Sequence, residues 1–147
     1  MTTIYRTAIV PFSVQQMYDL VNDIEQYPHF LPWCADAQIA SQSQDHMEAT
    51  VHIAKGPWRK VFTTINRLVP HERIEMRLRQ GPFRHLEGEW QFQTSAQGST
   101  VSFKLSFEFS NPLLAITLGP VFNQVAQSLV QAFTQRARQV YVKQIIA

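Results

Sequence analysis

The sequence has few of the features that mark several classes of protein. Its 147 residues contain one cysteine, Cys34, so no internal disulfide can form, which favours a reducing compartment. No apolar run approaches the ~20 residues of a membrane span, and the first residues lack the apolar core of a signal peptide. We therefore expect a cytoplasmic protein, with peripheral contact at the inner membrane as the alternative.

Groups suited to catalysis or metal binding are equally scarce. The five histidines do not pair at metal-ligand spacing with one another or with Cys34, so neither a metal nor a resident cofactor is expected. Glycine-rich phosphate loops and nucleophile elbows are absent. Glu87 and Glu89 form a pair of carboxylates, but they alternate with Trp90 and Phe92 and should face water on a strand. The sequence thus predicts a protein that is not an enzyme.

Apolar and aromatic residues, in contrast, are abundant. Apolar residues make up 45% of the chain, with ten Phe, four Tyr and three Trp, so disorder is excluded. The length fits one domain over residues 1–147 with a substantial core. Such an aromatic load can fill or line a broad interior.

Helix signals follow a first strand predicted at residues 3–10. Ser13 and Gln16 have the spacing of a capping box, which predicts a helix to about Val21. A second, shorter helix should start at Asp23 and end at Tyr27-Pro28, because proline disfavours helix at the residue before it.

Period-two alternation of apolar and polar residues then predicts consecutive strands joined by short turns. These lie near residues 36–43, 46–55, 58–69, 73–79, 86–93 and 101–109. Asn111-Pro112 opens a helix, Gly119-Pro120 should kink or restart it, and residues 121–145 form the long C-terminal helix. The predicted fold is α+β: a curved seven-stranded antiparallel sheet around that helix, with two short helices after strand one.

A sheet bent around one helix tends to leave space between the two. An apolar ligand cavity of ~300–1,000 Å³ is the interpretation we favour, and a completely filled core is the alternative. The stretch at Tyr27, Phe30, Leu31 and Trp33 would form the rim of its mouth. The predicted ligand-binding residues are Tyr27, Phe30, Leu31, Trp33, Phe62, Met76, Leu78, Phe83, Trp90, Phe92, Phe103, Leu105, Phe107, Phe122, Val125, Leu129 and Phe133.

Charge is distributed unevenly along the chain. Residues 1–50 carry a net charge of −5 and residues 51–84 one of +6. Solvated sheet faces explain such blocks most simply, and a surface for an anionic partner is the alternative. Its candidate residues are Arg73, Arg77, Arg79 and Arg84. Such a surface predicts weak, salt-sensitive contact with a membrane or RNA, and no DNA partner.

Several segments together resemble the START-like coenzyme Q-binding family, and within it a bacterial branch of ribosome association toxins. The resemblance covers nearly the whole chain and rests on residues 6–8, 10–13, 16–18, 20–23, 27–28, 30–32, 34, 81–83, 86, 88, 90, 92, 107–109, 121–122, 132–133, 136–137 and 140–141. Its more specific parts are Tyr-Pro-x-Phe-Leu-Pro and Gly-Pro-Phe. Gly119-Pro120 departs from the bacterial branch, and this bears on the shape of the cavity entrance.

The resemblance implies a START/Bet v 1-like helix-grip fold and no catalysis. It also implies two different functions. One is binding of ubiquinone, a polyprenyl quinone, in the apolar cavity in support of respiratory electron transport. The other is binding of the 50S ribosomal subunit, which would block 70S formation.

Overall fold

The computed structural model describes residues 1–142, which form an antiparallel sheet of seven strands in the order β1-β7-β6-β5-β4-β3-β2. Alternating apolar and polar residues account for the strands from β3 to β7, as predicted. The strands are β1 (Thr2–Val10), β2 (Cys34–Gln42), β3 (His46–Lys55), β4 (Trp58–Val69), β5 (Arg73–Gln80), β6 (Phe83–Ser95) and β7 (Gly98–Phe109).

Two short helices connect the opposite edges of this sheet. Helix α1 (Val14–Asn22) begins with the predicted capping box, in which Ser13 and Gln16 exchange side-chain to backbone hydrogen bonds of 3.0 and 3.1 Å. A 3₁₀ helix (Ile24–His29) follows and contains Pro28. Because β1 and β2 are the two edge strands, this helical segment spans the sheet and closes one end of it.

Bulges bend the sheet. Register shifts interrupt β2 twice, between Cys34 and Asp36 and between Ile39 and Ser41. Others lie between Thr63 and Thr64 in β4 and between Phe83 and His85 in β6. Each bulge adds a residue to one strand and increases the local twist, which curves the sheet towards the face that carries the apolar side chains.

The C-terminal helical region occupies that concave face. Helix α2 (Pro112–Thr117) is capped by Asn111, whose side chain accepts a hydrogen bond from the Leu114 amide, and α3 (Gly119–Ala137) restarts at the predicted Gly119-Pro120 break. Phe122 packs on Phe107 of β7 with ring centroids 4.8 Å apart, and Phe133 packs on Trp90 of β6 at 5.3 Å. These contacts place α3 along the sheet.

The long helix differs in one respect from its prediction over residues 121–145. It is α-helical only to Ala137 and continues as a single π-helical turn over Arg138–Val142. Residues 143–145 of the predicted helix, including Lys143, lie outside the described residues. The second short helix also departs from its prediction, since it runs through Pro28 to His29 and does not end at Tyr27-Pro28. The predicted α+β architecture is otherwise confirmed.

Candidate functional site

An internal cavity of about 90 Å³ lies between α3 and the concave face of the sheet. One water needs ~15 Å³ of this kind of volume, so the cavity has room for about six water molecules. It is therefore smaller than the ~300–1,000 Å³ expected from the sequence. The lining side chains are Ile24, Tyr27, Trp33, Ala49, Val51, Ile53, Phe62, Thr64, Asn66, Met76, Leu86, Trp90, Phe103, Leu105, Phe122, Val125, Ala126, Leu129 and Phe133.

Aromatic rings make one wall of the cavity. Trp90 of β6 lies 4.4 Å from Phe103 of β7 and 5.3 Å from Phe133 of α3, measured between ring centroids. Tyr27 packs against Phe133 from the 3₁₀ helix at 5.3 Å. Tilted and edge-on pairs of this kind are the favourable aromatic arrangements, so these four rings pack as one wall.

Eleven of the seventeen residues predicted to bind a ligand line this cavity. They are Tyr27, Trp33, Phe62, Met76, Trp90, Phe103, Leu105, Phe122, Val125, Leu129 and Phe133. That these residues bind a ligand remains a prediction.

The other six predicted residues lie elsewhere: Phe30, Leu31, Leu78, Phe83, Phe92 and Phe107. Phe83 and Phe107 pack around Phe122, at 4.9 and 4.8 Å, in an aromatic cluster that fills the space beside the cavity. Phe92 instead faces Tyr18 of α1 at 5.7 Å. Leu78 packs against the core at its edge.

Sequence reasoning missed eight lining residues: Ile24, Ala49, Val51, Ile53, Thr64, Asn66, Leu86 and Ala126. Ala49, Val51 and Ile53 alternate with their neighbours along β3, in a segment that the sequence predicts as a strand. The period-two pattern could therefore have shown that they face inward. Thr64 and Asn66 carried no such signal, because polar side chains are ordinarily assigned to the outer face of a strand.

Thr64 and Asn66 are the polar exception in an otherwise aliphatic and aromatic lining. They are 6% and 2% exposed, and the Thr64 hydroxyl donates to Asn66 Oδ1 at 2.8 Å. Tyr27 also lines the cavity, but its hydroxyl donates to the backbone carbonyl of Val21. Burial raises the pKa of Tyr27 far above that of a free tyrosine, so this hydroxyl stays neutral.

A groove on the surface, which we call the mouth groove, adjoins the cavity and has a volume of about 460 Å³. Trp33 and Val125 border both spaces. The groove is lined by Leu31, Pro32, Trp33, Ala54, Lys55, Gly56, Gln124, Val125, Ser128 and Ala132. Of the predicted rim, Leu31 and Trp33 thus lie at the groove.

Phe30, also predicted at the rim, packs against α3. Its ring lies 5.4 Å from that of Phe133, and the guanidinium carbon of Arg136 is 5.0 Å from its centroid. This cation–π contact joins the exit of the 3₁₀ helix to the C-terminal half of α3.

The predicted anionic-partner residues lie at or near the outer face of the sheet and are largely matched by carboxylates. Arg79 lies 3.2 Å from Glu48, Arg73 3.7 Å from Glu89, and Arg84 3.6 Å from Glu108. Arg77 is exposed and stands opposite Glu87 in the β5–β6 register. Exposed pairs of this kind contribute only ~0–1 kcal/mol each, so an anionic partner can exchange them.

Groups that might perform chemistry lie apart from the cavity. Glu89 and Glu87 contact Arg73 and His85, at 3.7 and 3.9 Å, and both carboxylates face outwards. The buried Cys34 thiol donates to the Asp36 carbonyl at 3.4 Å, and burial raises its pKa to about 11, so it stays protonated near neutral pH. Among residues 1–142 no group of three or more His, Cys, Asp or Glu is arranged to hold a metal ion.

Comparison with known proteins agrees with this geometry. A family model described as polyketide cyclase/dehydrase and lipid transport matches residues 10–134. The ribosome association toxin RatA of Pseudomonas aeruginosa is 44% identical over 141 residues, which covers 95% of this chain and 98% of that protein. The mitochondrial coenzyme Q-binding protein COQ10 homolog B of Xenopus laevis is 28% identical over 141 residues, covering 92% of this chain and 58% of that protein.

The fold also occurs in a solved structure, the Zhui aromatase/cyclase from Streptomyces sp. R1128. It superposes with a TM-score of 0.76 at 16% identity and covers 95% of each chain. At this identity the likeness concerns the fold alone. Within the described part of the chain, no helix has the length and apolar character needed to cross a membrane.

Proposed function

The chain belongs to the polyketide cyclase/dehydrase and lipid transport family, and on that premise we propose that it binds an apolar ligand without transforming it. The ligand class we propose is a polyprenyl quinone such as ubiquinone, held in support of respiratory electron transport. The observation that carries this proposal is the apolar cavity under α3, which meets the mouth groove at Trp33 and Val125.

Burial of an isoprenoid tail supplies the affinity. Each CH₂ group moved from water into an apolar site contributes ~0.8 kcal/mol, so a few isoprene units suffice for useful binding. The cavity of about 90 Å³ is too small for a whole quinone. Entry therefore requires Trp33 and Val125 to move apart, which would join the cavity to the 460 Å³ of the mouth groove.

Binding without catalysis is favoured by the chemistry of the lining. Tyr27 is the titratable residue that lines the cavity, and its hydroxyl is neutral and already hydrogen-bonded to Val21. The outward carboxylates of Glu87 and Glu89 are remote from any ligand held there. General acid–base catalysis needs a titratable group within hydrogen-bond reach of the reacting atoms, and this cavity offers none in a suitable state.

Two measurements test the ligand proposal. Native mass spectrometry of the purified protein should show a co-purifying lipid, and short-tailed ubiquinone should bind and quench the fluorescence of Trp33 and Trp90. Filling the cavity with Ala126→Met should abolish that binding, since Ala126 is buried in the lining. Ala96→Met, at an exposed position, is the matched control. No lipid and no quinone uptake by the wild-type protein would exclude the proposal.

A second function, association with the 50S ribosomal subunit, is favoured by a specific observation. The relative that is 44% identical over almost its whole length is named a ribosome association toxin. We propose that the surface of Arg73, Arg77, Arg79 and Arg84 makes this contact, with Arg136–Lys143 as a further candidate segment. The same basic surface would serve a peripheral contact with an anionic membrane.

Cosedimentation with purified 50S particles tests the second function. Cosedimentation of the wild-type protein should weaken as salt rises, because phosphate contacts release counterions, and reversing Arg73, Arg77 and Arg79 to glutamate should abolish it. Arg6→Glu, on the edge strand β1, is a control for charge reversal away from this surface. Unchanged cosedimentation of the triple variant would rule out this surface, and no sedimentation of the wild-type protein would rule out the function.

A further inference from the structure

Two polar side chains occupy the sheet side of the apolar cavity. Thr64 and Asn66 are two residues apart on β4, so both point to the concave face, and both line the cavity. At 6% and 2% exposure they are out of contact with bulk solvent. A buried amide without all its partners is unfavourable, so its presence in such a lining calls for a physical reason.

The hydrogen bond between the two fixes the direction of the amide. The Thr64 hydroxyl donates to Asn66 Oδ1 at 2.8 Å, and this is the hydrogen bond that the Asn66 side chain makes among residues 1–142. The Nδ2 amino group, a donor of two hydrogens, takes no part in that bond, and Asn66 lines the cavity. Its strand neighbours Met47 and Met76 offer it only weak thioether acceptors.

We propose that Asn66 Nδ2 is the recognition point for a hydrogen-bond acceptor on the ligand, a carbonyl or ether oxygen carried by an otherwise apolar molecule. Asn66 is the binding residue, and Thr64 is a positioning residue that acts by holding the amide in this orientation. The inference rests on the proposed ligand-binding function and deepens it. A site of this kind favours ligands with an oxygen-bearing head over plain hydrocarbons, since a bound hydrocarbon leaves the Asn66 donor unpaired.

The position of Asn66 also sets the direction in which the ligand enters. The mouth groove includes Lys55 and Gly56, in the hairpin that leads into β4 at Trp58. Asn66 lies eight residues further along that strand, which at ~3.3 Å per residue is about 26 Å. The oxygen-bearing head therefore lies innermost, and the apolar tail runs back between α3 and the sheet towards Trp33.

Decylubiquinone and pentadecane are suitable probes, because one carries carbonyl oxygens and the other is only apolar. Asn66→Leu replaces the amide with an apolar group of similar volume, and Thr64→Val removes the hydroxyl that orients it. Thr63→Val is the matched control, since Thr63 is the preceding residue of β4 and its hydroxyl bonds Thr50 at 2.8 Å.

Calorimetric titration should show that Asn66→Leu weakens decylubiquinone binding by about tenfold, the effect expected when a ligand oxygen loses its buried partner. Thr64→Val should weaken it by about threefold, and Thr63→Val should leave it unchanged. Pentadecane should bind Asn66→Leu at least as well as the wild type. A merely structural role would weaken both probes alike.

The outcomes separate the inference from the function on which it rests. Equal binding of decylubiquinone by wild type and Asn66→Leu would overturn the inference and leave the ligand proposal standing. Binding of neither probe by the wild type would overturn both. If Asn66→Leu fails to fold, the infrared spectrum of decylubiquinone on the wild-type protein decides. One carbonyl stretch should shift to lower frequency through a hydrogen bond, and no shift would overturn the inference.

Discussion

Replacing Phe133 by alanine tests how α3 is held against the sheet. Phe133 is fully buried in the middle of the aromatic wall, with its ring 5.3 Å from those of Tyr27 and Trp90 and 5.4 Å from that of Phe30. Truncation of a buried phenylalanine lowers the free energy of unfolding by ~3–5 kcal/mol, including ~24 cal/mol for each Å³ left empty. For a chain of this size that corresponds to a fall in Tm of about 6–20 °C.

Urea denaturation followed by far-ultraviolet circular dichroism measures this loss without relying on Trp90, whose surroundings change. Gln131→Ala, exposed on the same helix, should stay within ~0.5 kcal/mol of the wild type. Decylubiquinone at 100 times its Kd for the variant should raise the free energy of unfolding by ~2.7 kcal/mol. A loss below ~1.5 kcal/mol would refute the packing of α3 against the aromatic wall.

Three further substitutions or conditions test local features. Burial raises the pKa of Cys34 from 9.0 to about 11, so the rate of its alkylation by iodoacetamide should keep rising with pH up to about pH 11. The free energy of unfolding should fall above about pH 9, because there the thiol ionises in the unfolded chain and not in the folded one. Gly98→Ala places a Cβ 2.7 Å from the Phe12 amide nitrogen, at a residue whose φ is +146°. Urea denaturation should therefore show a much larger loss of unfolding free energy for Gly98→Ala than for Gly56→Ala, whose Cβ meets no atom within 4 Å. Ser13→Ala removes the cap of α1 and should lower the unfolding free energy by ~1 kcal/mol, with rescue by Ser13→Asp.

The fold was predictable because its signals are local. The Ser13–Gln16 pair, the Asn111-Pro112 cap and the Gly119-Pro120 break each act within a few residues, and each appears where the sequence places it. Alternation over residues 101–109 likewise decides which side chains face inward, whatever strand pairs with β7. A meander of six strands, β2 to β7, with short turns then leaves little freedom of topology beyond the placement of β1.

The division of the inward side chains between cavity and core was not predictable. Trp90 and Phe107 both face inward, but one lines the cavity and the other packs against Phe122. The difference depends on the bend of the sheet and on where α3 crosses it, and both involve residues far apart in the chain. The β6 bulge at Phe83, which sets the register against β7, is a feature of this kind.

The partners of the basic residues were also beyond sequence reasoning, since they depend on register. The arginines of β5 and the two glutamates of β6 alternate towards water on neighbouring strands, so strand order alone suggests that they pair with one another. The structure pairs Arg73 with Glu89 on β6, but it pairs Arg79 with Glu48, on β3. Spacing along one strand identifies the outer face, and only the three-dimensional arrangement shows which carboxylate is near.

The two proposed functions use opposite faces of the same strands, and this makes them separable. In β5, Met76 lines the cavity while Arg77 and Arg79 are exposed on the other side of the sheet. A change on one face keeps the strand and its hydrogen bonds, so it should leave the other face intact. Asn66→Leu should therefore alter quinone binding and not 50S cosedimentation, and charge reversal of the arginines should do the opposite. Loss of both activities in either variant would instead show that ligand and ribosome binding depend on each other.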